Sequence, residues 1–329
     1  MKVLYLGHPP TYELYKQKKV PSHWLYGAVE MEKDGHEVIW EWEQKHVWRN
    51  ILYDIKLVWK NKPDVVFIPT MNVRNHFVLL LLTTLGIQRR RIVAFVHHGP
   101  RTNNKLINDV YRLLYSRVSH FFFLSEQTME EIVKKKIINS QKCSVPGWGP
   151  DMDFYKGYKT TDGNYFVSTG KENRDYKLLI DVFRKTGSPL KIMTARRHAR
   201  NDYTWMENCC KDIPNIEVIF TDNSGDVYPQ MLALMANAKA LVCPLQIDKI
   251  NYCVGLSTIA DAEGLYKPLI ITRNPYHSKD RVNDFNIVET IDEWVEALNH
   301  LKQPMHTKYN MKRCWENMLE KITLVGKKE

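Results

Sequence analysis

The run DVVFIPTMNVRNHFVLLLLTTLGIQRRRIVAFV, residues 64–96, holds two strand patterns around one helix. DVVFIP (64–69) and RIVAFV (91–96) are continuous apolar runs rather than alternating ones. Strands covered on both faces read this way, and parallel sheets are covered on both faces. Residues 76–85 between them form an apolar helix of crossover length, so the run predicts a βαβ unit. Toward the N-terminus, residues 2–6 read as a strand ending at Gly7, followed by a loop to Val20. A helix over 22–33, a strand over 36–40 and a basic amphipathic helix over 47–60 complete that side. Toward the C-terminus come a helix over 104–117, the strand SHFFFL (119–124), and a helix over 125–136 that Ser125 can cap.

After the Gly/Pro-rich crossing GWGPDMDFY (147–155), the alternation restarts. Strands are expected at 165–168, 190–194, 216–220, 240–244 and 269–272, and helices at 176–185, 227–236, 255–264, 291–301 and 309–324. Two successive α/β units predict domains at 1–150 and 151–329, with the last helix packing back on the first domain. Ligands of open parallel sheets bind beyond the carboxyl ends of the strands. Two such sheets are expected to face each other across a ligand cleft.

The 329 residues are 44% hydrophobic and 26% charged, which excludes disorder, collagen and coiled coil. No stretch reaches the ~20 apolar residues of a membrane-spanning helix, and the opening MKVLYLGHPP reads as a strand, not a signal peptide. The 6 cysteines show no CxxC or zinc spacing, which suits a reducing cytosol. Of the net charge of +10, residues 1–150 carry +9, with 22 Lys+Arg against 13 Asp+Glu. That asymmetry points the first half toward an anionic partner: a membrane surface, a lipid phosphate or a nucleic acid. Trp48, Leu52, Ile55 and Trp59 at helical spacing are expected to pack on the parallel sheet, while the neighbouring Arg49, Lys56 and Lys60, with the clusters Arg89–Arg91 and Lys134–Lys136, are candidate cations for an anionic membrane.

The run VGLSTIADAEGLYKPLIITRNP (254–275) resembles the donor-site signature of glycosyltransferase family 4. Its pieces are Gly255, Ser257-Thr258, Asp261-Ala262, Lys267-Pro268 and the following apolar strand. STGKENRDYKLLIDVF (168–183) is similar to the family's other signature, and VPGWGPDMDFY (145–155) to its interdomain crossing. The resemblance implies an α/β GT-B fold: two facing Rossmann-like parallel-sheet domains with an interdomain cleft. It also implies a retaining transfer of a hexose from a nucleotide diphosphate sugar to a glycan or lipid-linked saccharide, in polysaccharide or lipopolysaccharide biosynthesis. The N-terminal domain would bind the acceptor and the C-terminal domain the donor. The enzyme would be cytoplasmic or peripheral on the inner face of the membrane, and would need no cofactor or metal.

The residues support that chemistry on their own terms. A helix N-terminus presents unpaired N–H groups and a positive dipole end to a diphosphate. Gly255 permits close approach there, and Ser257 and Thr258 add hydroxyls; Asp261 could accept from ribose hydroxyls. Gly170, Lys171 and Arg174 follow the first strand of the second unit, where cations would neutralise the leaving phosphate. Arg174 is the better bidentate ligand of the two. Asn223, in the loop 221–224, is placed at the base, with Arg196 and Arg197 nearby. In the first unit the resemblance puts His97 near the sugar, with His98 beside it, and Gly7 at the end of the first strand.

Two positions depart from the family pattern. Cys253 stands where a glutamate is usual, among the sugar contacts, and Tyr266 where a glycine precedes Lys-Pro. Asp151-Met152-Asp153 matches an acidic metal-binding triplet, but lies in the crossing and reads as structural. Three other readings stand beside transfer: a nucleotide-sugar epimerase of the same fold, a binding-only relative, and a basic nucleic-acid-binding protein. The last lacks any recognisable binding module, so no nucleic acid is expected as partner.

Overall fold

The structure is a computed structural model that describes residues 1–7, 9–41, 47–100, 103–198, 201–221 and 226–324, with backbone only at 9, 47–51 and 324. The chain forms two compact units, one of residues 1–149 with 309–329 and one of residues 150–308.

The first unit is built on six parallel strands: β1 (Lys2–Tyr5), β2 (Glu37–Ile39), β3 (Val65–Ile68), β4 (Arg91–Val96), β5 (His120–Phe123) and β6 (Cys143–Ser144). Their order is β2-β1-β3-β4-β5-β6. Every residue of β3 and β5 is buried, which explains their unbroken apolar reading. The C-terminal helix Met311–Leu324 belongs to this unit, where Trp315 Nε1 donates to Asp34 and Asn317 donates to the Pro146 carbonyl.

Local chemistry altered two expected elements. The expected loop before Val20 contains a helix, Pro9–Lys16; proline is tolerated in a first helical turn, where its missing N–H has no intrahelical partner. The expected helix over 22–33 is split into a 3₁₀ turn, Ser22–Leu25, and a helix, Ala28–Lys33. The break falls at Tyr26 (φ 51°) and Gly27 (φ 94°), both left-handed.

The second unit has six parallel strands: β7 (Phe166–Thr169), β8 (Leu190–Ala195), β11 (Ile216–Thr221), β12 (Ala240–Cys243), β13 (Leu269–Thr272) and β14 (Asn286–Val288). A two-strand ribbon, β9 (Arg197–His198) with β10 (Asn201–Asp202), lies between β8 and β11 in sequence. The sheet order is β11-β8-β7-β12-β13-β14. The chain moves outward from β7 through β8 to β11, then returns to the other side of β7 with β12. The carboxyl ends of β7 and β12 therefore flank a topological switch point, where open α/β sheets place their ligands. The helix Tyr176–Thr186 follows β7, capped by Asp175 and ended at Gly187 (φ 69°). The helix Leu256–Leu265 follows β12.

Candidate functional site

At the switch point of the second unit the loop after β7 folds against the loop after β12. Asp175 N–H donates to the Pro244 carbonyl at 3.1 Å, Gln246 N–H to Asn173 at 3.0 Å, and Arg174 forms an isolated bridge with Leu245. These backbone bonds turn the Arg174 side chain inward, and only 4% of it is exposed. Its Nε donates to the Thr169 carbonyl at 3.3 Å, Nη1 to Glu172 at 2.9 Å, and Nη2 to Thr258 Oγ1 at 3.1 Å. A guanidinium has five N–H donors, so these bonds leave two of them over. Arg174 has no ion pair among the described residues. A buried cation without a counter-charge is costly, and a bound anion would relieve that cost.

Gly170 makes the arrangement possible. Its φ is 107°, and a Cβ there would sit 2.6 Å from Arg174 Nη2. Its carbonyl is fixed by Tyr176 OH at 2.6 Å and Thr194 Oγ1 at 2.8 Å. Lys171 is exposed on the same loop, and its carbonyl accepts from Tyr203 OH at 3.1 Å.

The helix Leu256–Leu265 starts at Gly255 (φ 90°). Ser257 is exposed and Thr258 buried, so one hydroxyl faces outward while the other holds Arg174. The turn before this helix is pinned from β13's side: Asn274 Nδ2 donates to the Tyr252 and Val254 carbonyls, each at 3.0 Å. His277 Nε2 also donates to the Val254 carbonyl, at 2.9 Å. Burial lowers the His277 pKa to about 4, so this ring is neutral at pH 7.

Cys253 is buried, and burial pushes its thiol up to about 12, which keeps it protonated. Asp261 is 5% exposed, and its Oδ1 accepts from Tyr155 OH at 2.6 Å and Tyr228 OH at 2.5 Å. Burial raises its pKa to about 6. The carboxylate expected at a ribose is thus held inside a tyrosine pair. Two residues on, Glu263 is in a buried ion pair with Arg281, whose Nε donates at 2.9 Å and Nη2 at 2.5 Å. Asp151 caps the short helix Met152–Tyr155 and Asp153 pairs with Lys156 at 2.7 Å. Among the described residues no cluster of three His, Cys, Asp or Glu side chains could hold a metal ion. Arg196 pairs with Glu207 and lies 4.6 Å from the Phe220 ring centre. Asn223 lies outside the described residues.

Three of the expected positions belong to the first unit. Gly7 follows β1 and is buried, and a Cβ there would collide with the Tyr5 ring. His97 follows β4, half-buried, 5.0 Å from the Tyr26 ring centre. Its Nε2 lies 3.1 Å from the Pro69 carbonyl, which can only accept, so Nε2 carries the proton. Burial and the neighbouring His98 lower its pKa to about 4, leaving Nδ1 a free lone pair at pH 7. His98 is exposed.

The structure thus brings Gly170, Arg174 and Thr258 together and places Gly255 at the start of the same helix. Asn274, His277, Tyr155 and Tyr228, which fix this site's turn and carboxylate, carry no local sequence signal of that role. Asn274 does fall within the quoted run 254–275.

No protein-family profile and no curated protein matches the chain. Solved structures do match it in fold. The UDP-GlcNAc 2-epimerase of Neisseria meningitidis bound to UDP-GlcNAc aligns with 99% of this chain and 100% of its own, at 12% identity and a TM-score of 0.58. S. aureus MnaA, solved with UDP, aligns with 99% of this chain and 97% of its own, at 13% identity and a TM-score of 0.61. AviGT4, a glycosyltransferase involved in avilamycin A biosynthesis, aligns with 91% of this chain and 88% of its own, at 13% identity and a TM-score of 0.58. The class is therefore α/β and GT-B-like, with two Rossmann-like parallel sheets. No helix among the described residues is long and apolar enough to cross a membrane.

Proposed function

We propose that the chain is an enzyme of nucleotide-sugar chemistry, holding a nucleoside diphosphate sugar on the second unit and acting at the bond between sugar and diphosphate. The observation that carries this is Arg174: a buried cation with no carboxylate partner among the described residues, between the Gly170 turn and the helix of Thr258, at the switch point. Lys171 on the same loop is the second cation. As the bond from C1 to the diphosphate oxygen breaks, negative charge grows on the leaving group. Fixed cations and helix N–H groups stabilise that charge more than the ground state, so they lower the barrier.

Two chemistries share this step. In isomerisation at C2 the proton leaves C2 as the C1–oxygen bond breaks, and the diphosphate and a proton then add back with C2 inverted, so no acceptor is consumed. In retaining transfer C1 bonds to an acceptor hydroxyl, whose proton passes to the leaving phosphate, and the first unit would bind the acceptor. Isomerisation is the better supported reading, because UDP-GlcNAc 2-epimerases recur among the solved neighbours. Cys253 in place of the usual glutamate sets the chain apart from the transferase pattern. Neighbours bound to UDP, UDP-GlcNAc and UDP-glucose support uridine as the nucleoside.

The test is incubation with UDP-sugars, without and with saccharide acceptors, followed by proton NMR of the sugar and chromatography of the nucleotide. A C2-epimerised sugar formed without acceptor supports isomerisation. UDP release that depends on an acceptor supports transfer. A chain that neither binds nor consumes any nucleoside diphosphate sugar contradicts both.

A further inference from the structure

The helix Lys105–Tyr115 is apolar on more of its surface than the first unit covers. Leu114 and Tyr115 enter the core, while Leu106 (76% exposed), Ile107, Val110 and Leu113 (58%) remain exposed. The spacing of 106, 110 and 113 puts three of them on one stripe. The end of the neighbouring helix continues it. Thr84 Oγ1 donates to the Leu113 carbonyl at 3.2 Å, and exposed Leu85 and Ile87 follow directly in sequence. Gly86, between those two, lies against Arg117: a Cβ there would meet its Nη1 at 3.2 Å.

Cations frame this patch almost without opposition. Residues 74–117 contain eight Lys and Arg and a single acid, Asp109, which is paired with Arg112. Arg89, Arg90, Lys105 and Arg117 are exposed, with no ion pair among the described residues.

From this we infer that the face carrying Leu106, Val110, Leu113 and Leu85, ringed by these cations, docks on an anionic lipid bilayer. Exposed aliphatic side chains beside Lys and Arg are what an interfacial helix presents to headgroups and acyl chains. Pairing with a second copy through this face would oppose two strongly positive segments, which repel. The apolar residues are aliphatic and offer no base-stacking platform, which argues against single-stranded nucleic acid. The inference stands independently of the nucleotide-sugar reading.

The test is co-sedimentation of the full chain with vesicles of phosphatidylcholine alone and of phosphatidylcholine with phosphatidylglycerol. The chain is expected to bind the anionic vesicles, to bind neutral ones far less, and to be released as salt shortens the screening length. Val110→Ser with Leu113→Ser, and separately Arg89→Gln with Arg90→Gln, are each expected to lower partitioning by about tenfold, with Tm unchanged because all four side chains are exposed. Three results overturn the inference: no binding to anionic vesicles, serine variants that bind like the parent, or sedimentation equilibrium showing a dimer that those variants dissolve while vesicle binding stays as it was.

Discussion

Arg174 Nη2 donates to Thr258 Oγ1 at 3.1 Å, across 84 positions of sequence. The bond joins the loop after β7 to the helix after β12. It makes one unit of two features that look separate in the sequence, a cationic loop and a hydroxyl-bearing helix start. Replacing Arg174 with Ala removes both the anion's partner and the donors to the Thr169 and Glu172 carbonyls. The variant is expected to fold with a loss of about 1–3 kcal/mol and to lose the rise in Tm that UDP gives the parent. A retained UDP shift in Arg174→Ala removes the phosphate assignment.

Gly170→Ala tests the same site without changing a charge. The added Cβ would sit 2.6 Å from Arg174 Nη2, on a backbone at φ 107°. A cost of about 1–3 kcal/mol is expected from strain and crowding, together with weaker UDP binding as the guanidinium is displaced. Titration calorimetry reads the second effect; unchanged affinity would mean that the guanidinium position is irrelevant to the ligand.

Asn274→Ala removes one of the two donors to each of the Tyr252 and Val254 carbonyls, which keep the Val254 N–H and His277 Nε2, and loosens the turn before Gly255. Stability is expected to fall by about 1–2 kcal/mol, the net worth of two buried hydrogen bonds whose acceptors each keep a second donor. If the turn is preorganised for ligand, KM for the sugar nucleotide rises more than kcat falls. A change in stability alone, with KM unmoved, assigns Asn274 to folding only.

Much of the fold is legible because its strands are buried on both faces. Val65–Ile68, Arg91–Val96 and His120–Phe123 announce themselves as apolar runs, and Ser125 caps the helix Glu126–Lys134 as its position suggests. Short elements without a buried run are silent: the three-residue edge strand Asn286–Val288, and the ribbon of Arg197–His198 with Asn201–Asp202. At the site, Gly170, Arg174 and Thr258 are visible as residue types beside strand ends. The direction each side chain takes is set by tertiary contacts. Asp261 reads as an acceptor for ribose hydroxyls, and nothing local in the sequence shows that Tyr155 and Tyr228 donate to it. The basic helix Val47–Asn61 divides in the same way: Ile55 and Val58 enter the core, whereas Leu52 and Trp59 stay exposed. The side chains of Trp48 and Arg49 lie outside the described residues.

Two buried groups give stability opposite responses to pH. Burial raises Asp261 to about 6, above the ~4 of an unfolded chain. The folded state keeps a proton that the unfolded state releases, so this contribution is lost as pH rises from ~4 to ~6. His277 is lowered to about 4, below the ~6.5 of an unfolded histidine, so its contribution is lost as pH falls from ~6.5 to ~4. At ~1.4 kcal/mol per unit, the contributions amount to about 3 kcal/mol for Asp261 and about 3.5 kcal/mol for His277. Asp261→Asn is expected to steepen the loss of stability on acidification, and His277→Gln to flatten it. Urea unfolding across this range distinguishes the two; a parent-like profile in either variant contradicts its assignment.

The most direct measurement is a crystal structure of the chain with UDP. The account predicts the diphosphate at the carboxyl ends of β7 and β12, with phosphate oxygens accepting from the Arg174 guanidinium and the Gly255–Thr258 helix start. A diphosphate bound away from Arg174, on either unit, would contradict it.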